Sequence, residues 1–325
     1  MNRKRWIAMG LVILLLVVYM RTPVDKGVST TEGIPFLSSE SYSTATYKKG
    51  GGDNIALLRV NGVIIDQGQS FSTDTAAYNH QSFLRQVEEA FKRSDIKAIV
   101  MAIDSPGGGL YESDQAYQKL MQMKEQYNKP LVVSMGSMAA SGGYYIAMPA
   151  DQIFAERTSL TGSIGVIMTS YNYQELAEKI GIREEVFKSG ENKDLLNPMR
   201  EATAEERRIM QGIIDESYGL FVDVVAEGRN MDTQTVIGLA DGSIYTANQA
   251  VGAGLIDGIG DLDAAIKAAG DMIQESDPNV IFFKNPPGYY MNWLLSKLAP
   301  QFDLLGLQEN MQNNSIPRAM FLYRP

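Results

Sequence analysis

Residues 136–145 read Gly136-Ser137-Met138-Ala139-Ala140-Ser141-Gly142-Gly143-Tyr144-Tyr145, and they follow a short apolar run, Leu131-Val132-Val133-Ser134-Met135. The apolar run predicts a buried strand, and the small residues after it predict a turn into an apolar helix that reaches Ala147. A serine at such a turn exposes its hydroxyl beside the free N–H groups of a helix N-terminus. Ser141 is therefore a candidate nucleophile, although an isolated Ser-Gly-Gly more often marks only a tight packing turn.

Strands and helices alternate on both sides of this segment. The alternation predicts βαβ units, and hence an α/β fold with a mainly parallel sheet covered by helices. The predicted strands are residues 55–60, 63–65, 97–103, 131–135, 152–155 and 185–188, with a loop leading into a further strand over 159–166. The predicted helices are residues 80–93, 111–127, 173–180 and 204–228.

The composition narrows the possible functions. The chain has 325 residues, 45% of them hydrophobic, and a net charge of −9, so it can build a large core but is not suited to binding nucleic acid. It lacks cysteine, which excludes disulfides, thiol nucleophiles and thiolate metal sites. Its one histidine, His80, lies in a polar stretch at the start of a predicted helix. A serine hydrolase built on this chain would therefore take its general base from another residue type.

The N-terminus has the pattern of a membrane anchor. Residues 1–5 are basic, and residues 6–20 form an apolar run interrupted only by a glycine. The run is shorter than the ~20 residues of a usual spanning helix, but no small-residue cleavage site follows it. Residues 1–21 therefore predict an uncleaved signal anchor. Its basic flank predicts a single-pass protein of the cell membrane, with a cytoplasmic N-terminus and the body of the protein on the extracytoplasmic side.

Changes in composition mark the limits of the folded domain. Residues 22–53 are rich in Ser, Thr and Gly and lack helical periodicity, which predicts a flexible linker. The folded domain is expected over residues 54–275, followed by a C-terminal extension over 276–325 in which residues 289–295 predict an aromatic-rich helix. The apolar end, Phe321-Leu322-Tyr323, has no obvious place in a core. We expect that this end could enter a peptide groove in its own or a neighbouring subunit.

Two glycine-bearing turns each follow a predicted parallel strand. They read Asp104-Ser105-Pro106-Gly107-Gly108-Gly109 and Ala140-Ser141-Gly142-Gly143. Parallel strands bring such turns to one edge of a sheet, and N–H groups near Gly108 and Gly142 could hold an oxyanion there. A donor of this kind lowers a reaction barrier by roughly 3–4 kcal/mol. Neither turn continues into Gly-Lys-Ser/Thr, so phosphate binding is disfavoured.

A serine nucleophile needs a general base, and lysine can replace histidine where burial lowers the pKa of its ammonium. Lys193 lies in a polar loop after a predicted strand, and Lys188 lies a few residues before it. Either lysine could equally be a solvated surface charge. Residue types and spacing alone do not select the base.

Four motifs, in order along the chain, resemble the signal peptide peptidase A family. They are the loop at 104–109, the serine turn at 136–145, Thr161-Gly162-Ser163-Ile164-Gly165-Val166, and Gly254-Leu255-Ile256-Asp257. The resemblance covers roughly residues 53–270. Within this membrane-anchored Ser/Lys protease family, the chain is similar to the short bacterial form. It implies an α/β domain of the Clp protease/crotonase-like fold, preceded by the N-terminal membrane anchor.

The resemblance also implies roles for individual residues. It places the nucleophile on Ser141, the general base on Lys193, and the serine that orients this lysine on Ser163. The oxyanion donors correspond to the backbone N–H groups of Gly108 and Gly142. The region around the lysine is the least distinctive part of the match, so the neighbouring upstream lysine stays an alternative base.

The implied reaction is hydrolysis of peptide bonds through an acyl-enzyme on Ser141, with no metal or cofactor. The implied substrates are signal peptides left in the membrane after their release from preproteins, and other unfolded chains. The implied partners are these peptides, membrane lipid through the anchor, and further copies of the chain in a homo-oligomeric ring whose sites face inward. Nucleic acid is not expected as a partner.

Two alternatives remain open at this point. One is a crotonase-type acyl-CoA enzyme, which uses the same backbone oxyanion hole but is disfavoured by the anchor and the candidate Ser/Lys pair. The other is a non-catalytic membrane scaffold of the same fold, which would keep its function when Ser141 is replaced by alanine.

Overall fold

The computed structural model describes residues 42–66, 78–284 and 319–323. The strands are β1 (Thr44–Lys48), β2 (Asn54–Asn61), β3 (Ile96–Ser105), β4 (Gly107–Gly109), β5 (Leu131–Ala140), β6 (Gln152–Ala155), β7 (Leu160–Gly162), β8 (Ile244–Thr246), β9 (Gly258–Ile259), β10 (Asn279–Phe283) and β11 (Met320–Leu322). The α-helices are α1 (His80–Lys92), α2 (Leu110–Tyr127), α3 (Gly142–Tyr145), α4 (Gln174–Lys179), α5 (Ala204–Arg229), α6 (Thr233–Leu239), α7 (Ala247–Gly252) and α8 (Leu262–Met272), and a 3₁₀ turn spans Glu191–Asp194.

Within the described residues, nine strands form one sheet in the order β1-β10-β2-β3-β5-β6-β9, with β7 beside β5 and β8 beside β7. The pairs of β2 with β3, β3 with β5, β5 with β6 and β10 with β2 are all parallel. Only β1 with β10 and β7 with β8 are antiparallel in this sheet. The predicted α/β class with a mainly parallel sheet is confirmed. A separate antiparallel pair, β4 with β11, lies outside the sheet.

Helices cover the sheet because their apolar faces match its buried strands. In α1, buried Phe83, Val87 and Phe91 recur at helical spacing, and the Asn79 side chain caps the helix by accepting the N–H of Ser82. The central strands β3 and β5 are buried almost throughout, as strands covered on both faces must be. A second apolar cluster joins α8 to the side chains of β2, β3, β5 and β10 that point away from the main core.

The strand before Ser141 is longer than predicted. We expected it to end at Met135, but β5 continues to Ala140 because its second half pairs with β7 instead of β6. The helix after Ser141, α3, is correspondingly short and ends at Tyr145. The small residues thus serve a close strand pairing, and the turn is confined to Ser141 itself.

Other predictions for single elements are wrong. Residues 185–188 form no strand, and the side chain of Phe187 is 94% exposed. Residues 163–166 form no regular strand after β7, and of residues 63–65 only Ile64 makes a bridge, to Gly108. A strand needs a partner for its backbone groups, and within the described part of the chain these segments lack a continuous one.

Strands lie on both sides of the range 54–275 that was predicted for the folded domain. Strand β1 occupies part of the stretch predicted as a linker, and Tyr42 before it is buried with its ring 6.0 Å from that of Phe283. Strand β10 likewise lies beyond residue 275. The predicted anchor over residues 6–20 and the aromatic-rich segment 289–295 lie outside the described residues. None of the helices that the structure describes is both long enough and apolar enough to cross a bilayer.

Candidate active site

Ser141 alone forms the turn between β5 and α3. Its backbone has φ 53° and ψ −118°, a conformation that residues with a side chain rarely adopt and that costs of order 1–3 kcal/mol. Its N–H donates to the carbonyl of Gly162 (2.7 Å), and its own carbonyl accepts the N–H of Tyr145 (2.8 Å). Both bonds hold the residue, which is only 1% exposed, in this strained position at the edge of the sheet.

Ser163 occupies the equivalent position on the neighbouring strand. Strands β5 and β7 are parallel with Ala140 opposite Gly162, so Ser141 and Ser163 each come one residue after a paired strand end. Ser163 also has a positive φ, 50°, and its N–H donates to the carbonyl of Ser243 (2.8 Å). The structure therefore brings together the predicted nucleophile and the serine predicted to orient the lysine.

The two predicted oxyanion donors also lie side by side. A Cβ atom on Gly142 would lie 3.1 Å from the backbone nitrogen of Gly108, and a Cβ atom on Gly107 would lie 2.6 Å from the backbone nitrogen of Gly142. Gly107 has φ 97°, a conformation that favours glycine. The glycines are required because β4 and the start of α3 approach each other too closely for side chains.

The last described residues lie along β4 as an added strand. Strand β11 is antiparallel to β4 and places Phe321 opposite Gly108. Antiparallel ladders alternate between hydrogen-bonded and non-bonded residue pairs. Ala319 with Leu110, and Tyr323 with Pro106, are hydrogen-bonded pairs two residues to either side, so Phe321 and Gly108 form a hydrogen-bonded pair as well. On its other edge, Met320 exchanges two bonds of 3.1 Å with Ile167. The flanking bonds run from Leu110 N–H to Ala319 O (3.3 Å) and from Tyr323 N–H to Pro106 O (2.9 Å).

The carbonyl oxygen of Phe321 lies between the two glycine loops. It is 2.1 Å from where a Cβ atom would stand on Gly107, and 3.1 Å from where one would stand on Gly142. The same two Cβ positions lie close to the backbone nitrogens of Gly108 and Gly142, as described above. The oxygen thus lies close to both predicted oxyanion donors, next to the residue that follows Ser141. In a substrate bound in this way, Phe321 would be on the acyl side and Leu322 on the leaving side.

An aromatic pocket receives the Phe321 side chain. The ring is fully buried, stacked on Tyr145 at a centroid distance of 4.9 Å and 4.6 Å from the ring of Phe221. The hydroxyl of Tyr145 donates to Asp114 (2.8 Å). Burial, and to a smaller extent this hydrogen bond, raises the pKa of Tyr145 and keeps the phenol neutral. The expectation that this end has no place in a core is wrong for Phe321. The groove in which it lies is that of its own chain.

The two candidate lysines have different surroundings. Lys188 donates to the carboxylate of Asp194 (2.7 Å) and to the carbonyl of Glu191 (2.9 Å), so its ammonium is engaged. Lys193 lies in the 3₁₀ turn and is exposed. Its backbone N–H donates to the carbonyl of Gly190 (3.2 Å), but its side-chain amine forms no hydrogen bond or ion pair with any residue that the structure describes. Within this single chain, neither lysine is therefore hydrogen-bonded to Ser141.

A network of charged groups holds the turn that carries Lys193. Arg200 donates to the carboxylates of Asp194 and Glu206, and Glu206 also accepts the N–H of Thr203 in the capping box of α5. Hydrogen bonds from Arg200 and then from Lys188 hold the pKa of Asp194 well below its usual range. Hydrogen bonding to Arg200, then to Thr203, lowers the pKa of Glu206 to about 2.

The chain around the lysine turn exposes many large apolar side chains. Phe187 is almost completely exposed, which is unusual for a phenylalanine in a folded domain. Apolar exposure along one segment marks a surface that another molecule covers. The exposed residues are Ile167, Tyr171, Tyr173, Leu176, Ile180, Ile182, Val186 and Phe187.

The single histidine is part of the core. His80 is 1% exposed, with Nδ1 2.6 Å from the hydroxyl of Tyr78 and Nε2 2.6 Å from Oε1 of Gln115. Both ring nitrogens are thus engaged away from the serine turn. This agrees with the expectation that histidine is not the base.

An extended peptide that adds a strand to the protein and presents one carbonyl to backbone donors beside a serine is how serine peptidases hold their substrates. The fold and this arrangement define a serine peptidase.

Comparison with known proteins identifies the family. The model for Peptidase family S49 matches residues 123–274. The chain is 36% identical to a protein of Enterococcus faecium named "Putative signal peptide peptidase SppA", over 99% of both chains. It is also 34% identical to "Serine protease SPPA, chloroplastic" of Arabidopsis thaliana, over 75% of this chain and 36% of that one. "Protease 4" of Haemophilus influenzae is 30% identical over 70% of this chain and 36% of that one. The chain belongs to peptidase family S49, and the predicted relation to signal peptide peptidase A is confirmed.

Proposed function

We propose that this serine peptidase is a membrane-anchored endopeptidase that degrades remnant signal peptides and other unfolded peptides at the membrane, with Ser141 as nucleophile and Lys193 as general base. The observation that carries the proposal is the position of Phe321. Its carbonyl oxygen lies between the Gly107–Gly109 loop and Gly142, the residue after Ser141. Its backbone pairs as a strand with β4.

In the proposed reaction, the Ser141 oxygen bonds to the scissile carbonyl carbon while its proton passes to the neutral amine of Lys193. The carbonyl electron pair moves to the oxygen, which the N–H groups of Gly108 and Gly142 stabilise. Collapse of this intermediate breaks the C–N bond, and the leaving amine takes the proton from Lys193. Lys193 then takes a proton from water as the water oxygen bonds to the acyl carbon. The ester C–O bond breaks, and the Ser141 oxygen regains its proton from Lys193. Ser163 holds the lysine amine in line.

The groove favours unfolded, apolar substrates. A substrate must be extended to pair with both β4 and Ile167, which a segment inside a folded protein cannot do. The pocket of Tyr145 and Phe221 favours a large apolar or aromatic side chain on the acyl side of the cleaved bond. Signal peptides have apolar centres and fit both requirements, and the name of the Enterococcus faecium relative agrees with this class of substrate.

Assembly would complete the site. An exposed lysine is a poor base because water stabilises its ammonium form, so the proposed role of Lys193 requires that a partner cover it. The exposed apolar segment on the N-terminal side of this lysine offers a surface for that partner. We infer that copies of the chain form a ring in which Lys193 of one copy reaches Ser141 of its neighbour. Closed rings arise when the same contact repeats from copy to copy.

The proposed location follows from the N-terminal sequence. Residues 6–20 would anchor the protein in the cell membrane, with residues 1–5 in the cytoplasm and the catalytic domain on the extracytoplasmic side. This arrangement would place the groove next to the membrane in which remnant signal peptides remain.

The proposal is tested with a serine-directed fluorophosphonate probe and a fluorogenic peptide carrying phenylalanine before the cleaved bond. The full-length protein in detergent is compared with Ser141→Ala, Lys193→Met and Lys188→Met, and with Ser134→Ala as a matched change at a buried serine within β5. We expect labelling and hydrolysis to be lost only in the Ser141 and Lys193 variants. Loss with Lys188→Met alone would move the base. Full function without Ser141 would favour a scaffold.

A further inference from the structure

Ser113 has an unusual hydroxyl group. The residue lies in the first turn of α2, directly after the glycine loop, and is fully buried. Its Oγ is the one buried side-chain nitrogen or oxygen atom among the described residues that has no hydrogen-bond partner. Leaving a buried hydroxyl unpaired is unfavourable, so a native protein that keeps one usually has a use for it.

The hydroxyl lies against the proposed oxyanion site. A Cβ atom on Gly142 would stand 2.4 Å from Oγ of Ser113, 3.1 Å from the nitrogen of Gly108 and 3.1 Å from the carbonyl oxygen of Phe321. One point in space is therefore close to the hydroxyl, to a proposed donor and to the bound carbonyl. Glycine at 142 leaves that point open, so that no side chain separates the three groups.

We propose that the Ser113 hydroxyl is a third donor of the oxyanion site, which pairs only with the charged oxygen of the tetrahedral intermediate. The proposal rests on the proposed function. When Ser141 bonds to the carbonyl carbon, its proton goes to Lys193 and the carbonyl electron pair becomes the negative charge of the oxygen. Ser113 keeps its own proton and donates a hydrogen bond to that oxygen.

The unpaired state of Ser113 in this structure agrees with such a role. The Phe321 carbonyl is planar and neutral, as in a bound substrate, and Ser113 makes no hydrogen bond to it. A donor aimed at the position of the developing oxyanion, rather than of the substrate carbonyl, stabilises the transition state alone. Such a donor raises kcat without tightening the binding of substrate. A hydroxyl that served only to pack a small side chain would not raise kcat in this selective way.

The test is Ser113→Ala in the full-length protein in detergent, measured with the same fluorogenic peptide. We expect kcat to fall about 10²-fold to 10³-fold, the loss found when one oxyanion donor is removed, while KM stays within about twofold. The affinity for a peptide aldehyde ending in phenylalaninal, which forms a tetrahedral adduct with the nucleophile, should fall in parallel. The affinity for a peptide with the sequence of residues 316–323, measured with and without Ser113→Ala in the Ser141→Ala background so that it stays uncleaved, should not change. Ser134→Ala, also a buried serine, should match the wild type in every measurement.

Unchanged kcat in Ser113→Ala, with an active wild type, would overturn the inference, as would equal losses for the aldehyde and the uncleaved peptide. A wild type without activity, or an active Ser141→Ala, would instead refute the proposed function, so the two failures are distinct. If the alanine variant loses its cooperative thermal transition, Ser113→Cys decides. This variant keeps a similar size but a weaker donor, so kcat should still fall, and wild-type kcat would refute the role.

Discussion

The serine side and the lysine side of the proposed site differ in how complete they are within one chain. On the serine side, Ser141 and Ser163 are buried at the ends of paired strands, and a peptide carbonyl already lies by Gly142. On the lysine side, Lys193 is exposed and its amine has no partner among the described residues, within a segment rich in exposed apolar side chains. On the proposed assignment, the fold of one chain organises the nucleophile, whereas the base would depend on assembly.

Adding one methyl group at Gly142 should disrupt the serine side of the site. Outside the Ser/Lys pair itself, we expect the largest loss of kcat from this change. In Gly142→Ala, the new Cβ would stand 2.4 Å from Oγ of Ser113 and 3.1 Å from both the Gly108 nitrogen and the bound carbonyl oxygen. The donors must then separate, so kcat should fall about 10²-fold or more.

The control for this variant is Gly212→Ala on α5, where no atom lies within 4 Å of the added Cβ. That change should leave kcat unaltered and stabilise the helix slightly, since alanine is a better helix former by about 1 kcal/mol. Steady-state kinetics together with thermal unfolding separate a lost donor from a lost fold. Wild-type kcat in Gly142→Ala would refute the assignment of the oxyanion site.

A medium effect should follow from emptying the groove. Because β11 is tethered to its own site, it competes with added substrate at a high effective concentration. Deleting residues 319–325 should therefore lower the apparent KM for peptides, by about tenfold if the tether gives a millimolar local concentration. Phe321→Ala, which empties the aromatic pocket, should act in the same direction, and Tyr323→Ala should act more weakly because the pocket stays filled.

Mass spectrometry of the C-terminus gives a second measure of this occupancy. If the tail binds as a substrate does, active protein should slowly lose the residues after Phe321, and Ser141→Ala should keep them. Unchanged kinetics on deletion, combined with an unchanged C-terminal mass, would show that the strand pairing with β4 does not represent substrate binding.

The smallest effect should come from the charged network under the lysine turn. Arg200→Gln removes the guanidinium that joins Asp194 to Glu206, and we expect a loss of activity of only about threefold, because Arg200 is itself partly exposed and acts on Lys193 only through the turn. Arg208→Gln, which breaks an exposed pair with Glu205, is the control and should be neutral.

Acid unfolding tests the contribution of the same network to stability, and the lowered pKa of Glu206 fixes the direction in which the midpoint should move. The pKa of Glu206 is lowered to about 2 in the folded protein, against about 4.3 in an unfolded chain. Its stabilising contribution is therefore fully present above the unfolded value and is lost as the pH falls toward 2. Arg200→Gln removes the main cause of the lowered pKa, so the midpoint of acid unfolding should move to higher pH. A midpoint equal to that of the wild type would exclude the network as a support of the turn.

Local patterns predicted the parts of the fold that local interactions determine. Helix α1 followed from apolar periodicity, the strand before Ser141 followed from a short apolar run, and the glycine turns followed from the need for close backbone approach. The extension of β5 to Ala140 could not be predicted, because it depends on pairing with β7 about 20 residues away in sequence. Residues 185–188 have strand-like composition but find no partner among the described strands.

Long-range pairing also limits how much of the proposed site the sequence indicates. Ser141 and Gly142 lie at a strand-to-helix turn that the sequence makes recognisable, but the position of Phe321 depends on a pairing with β4 more than 200 residues earlier in the chain. Ser113 carries no signal in the sequence, since a serine on a helix is ordinary until its burial and lack of a partner are known. The pocket of Tyr145 and Phe221 likewise needs two distant helices to meet.

The most direct test of the central claim, that neighbouring copies complete each other's sites, is to mix two inactive variants. Ser141→Ala and Lys193→Met are co-expressed with different tags, and the mixed oligomers are isolated with both tags and assayed with the fluorogenic peptide. If Lys193 serves the serine of a neighbour, about one quarter of the sites in a random ring pair an intact serine with an intact lysine, and activity returns to that level. A mixed oligomer as inactive as its parents would contradict the account.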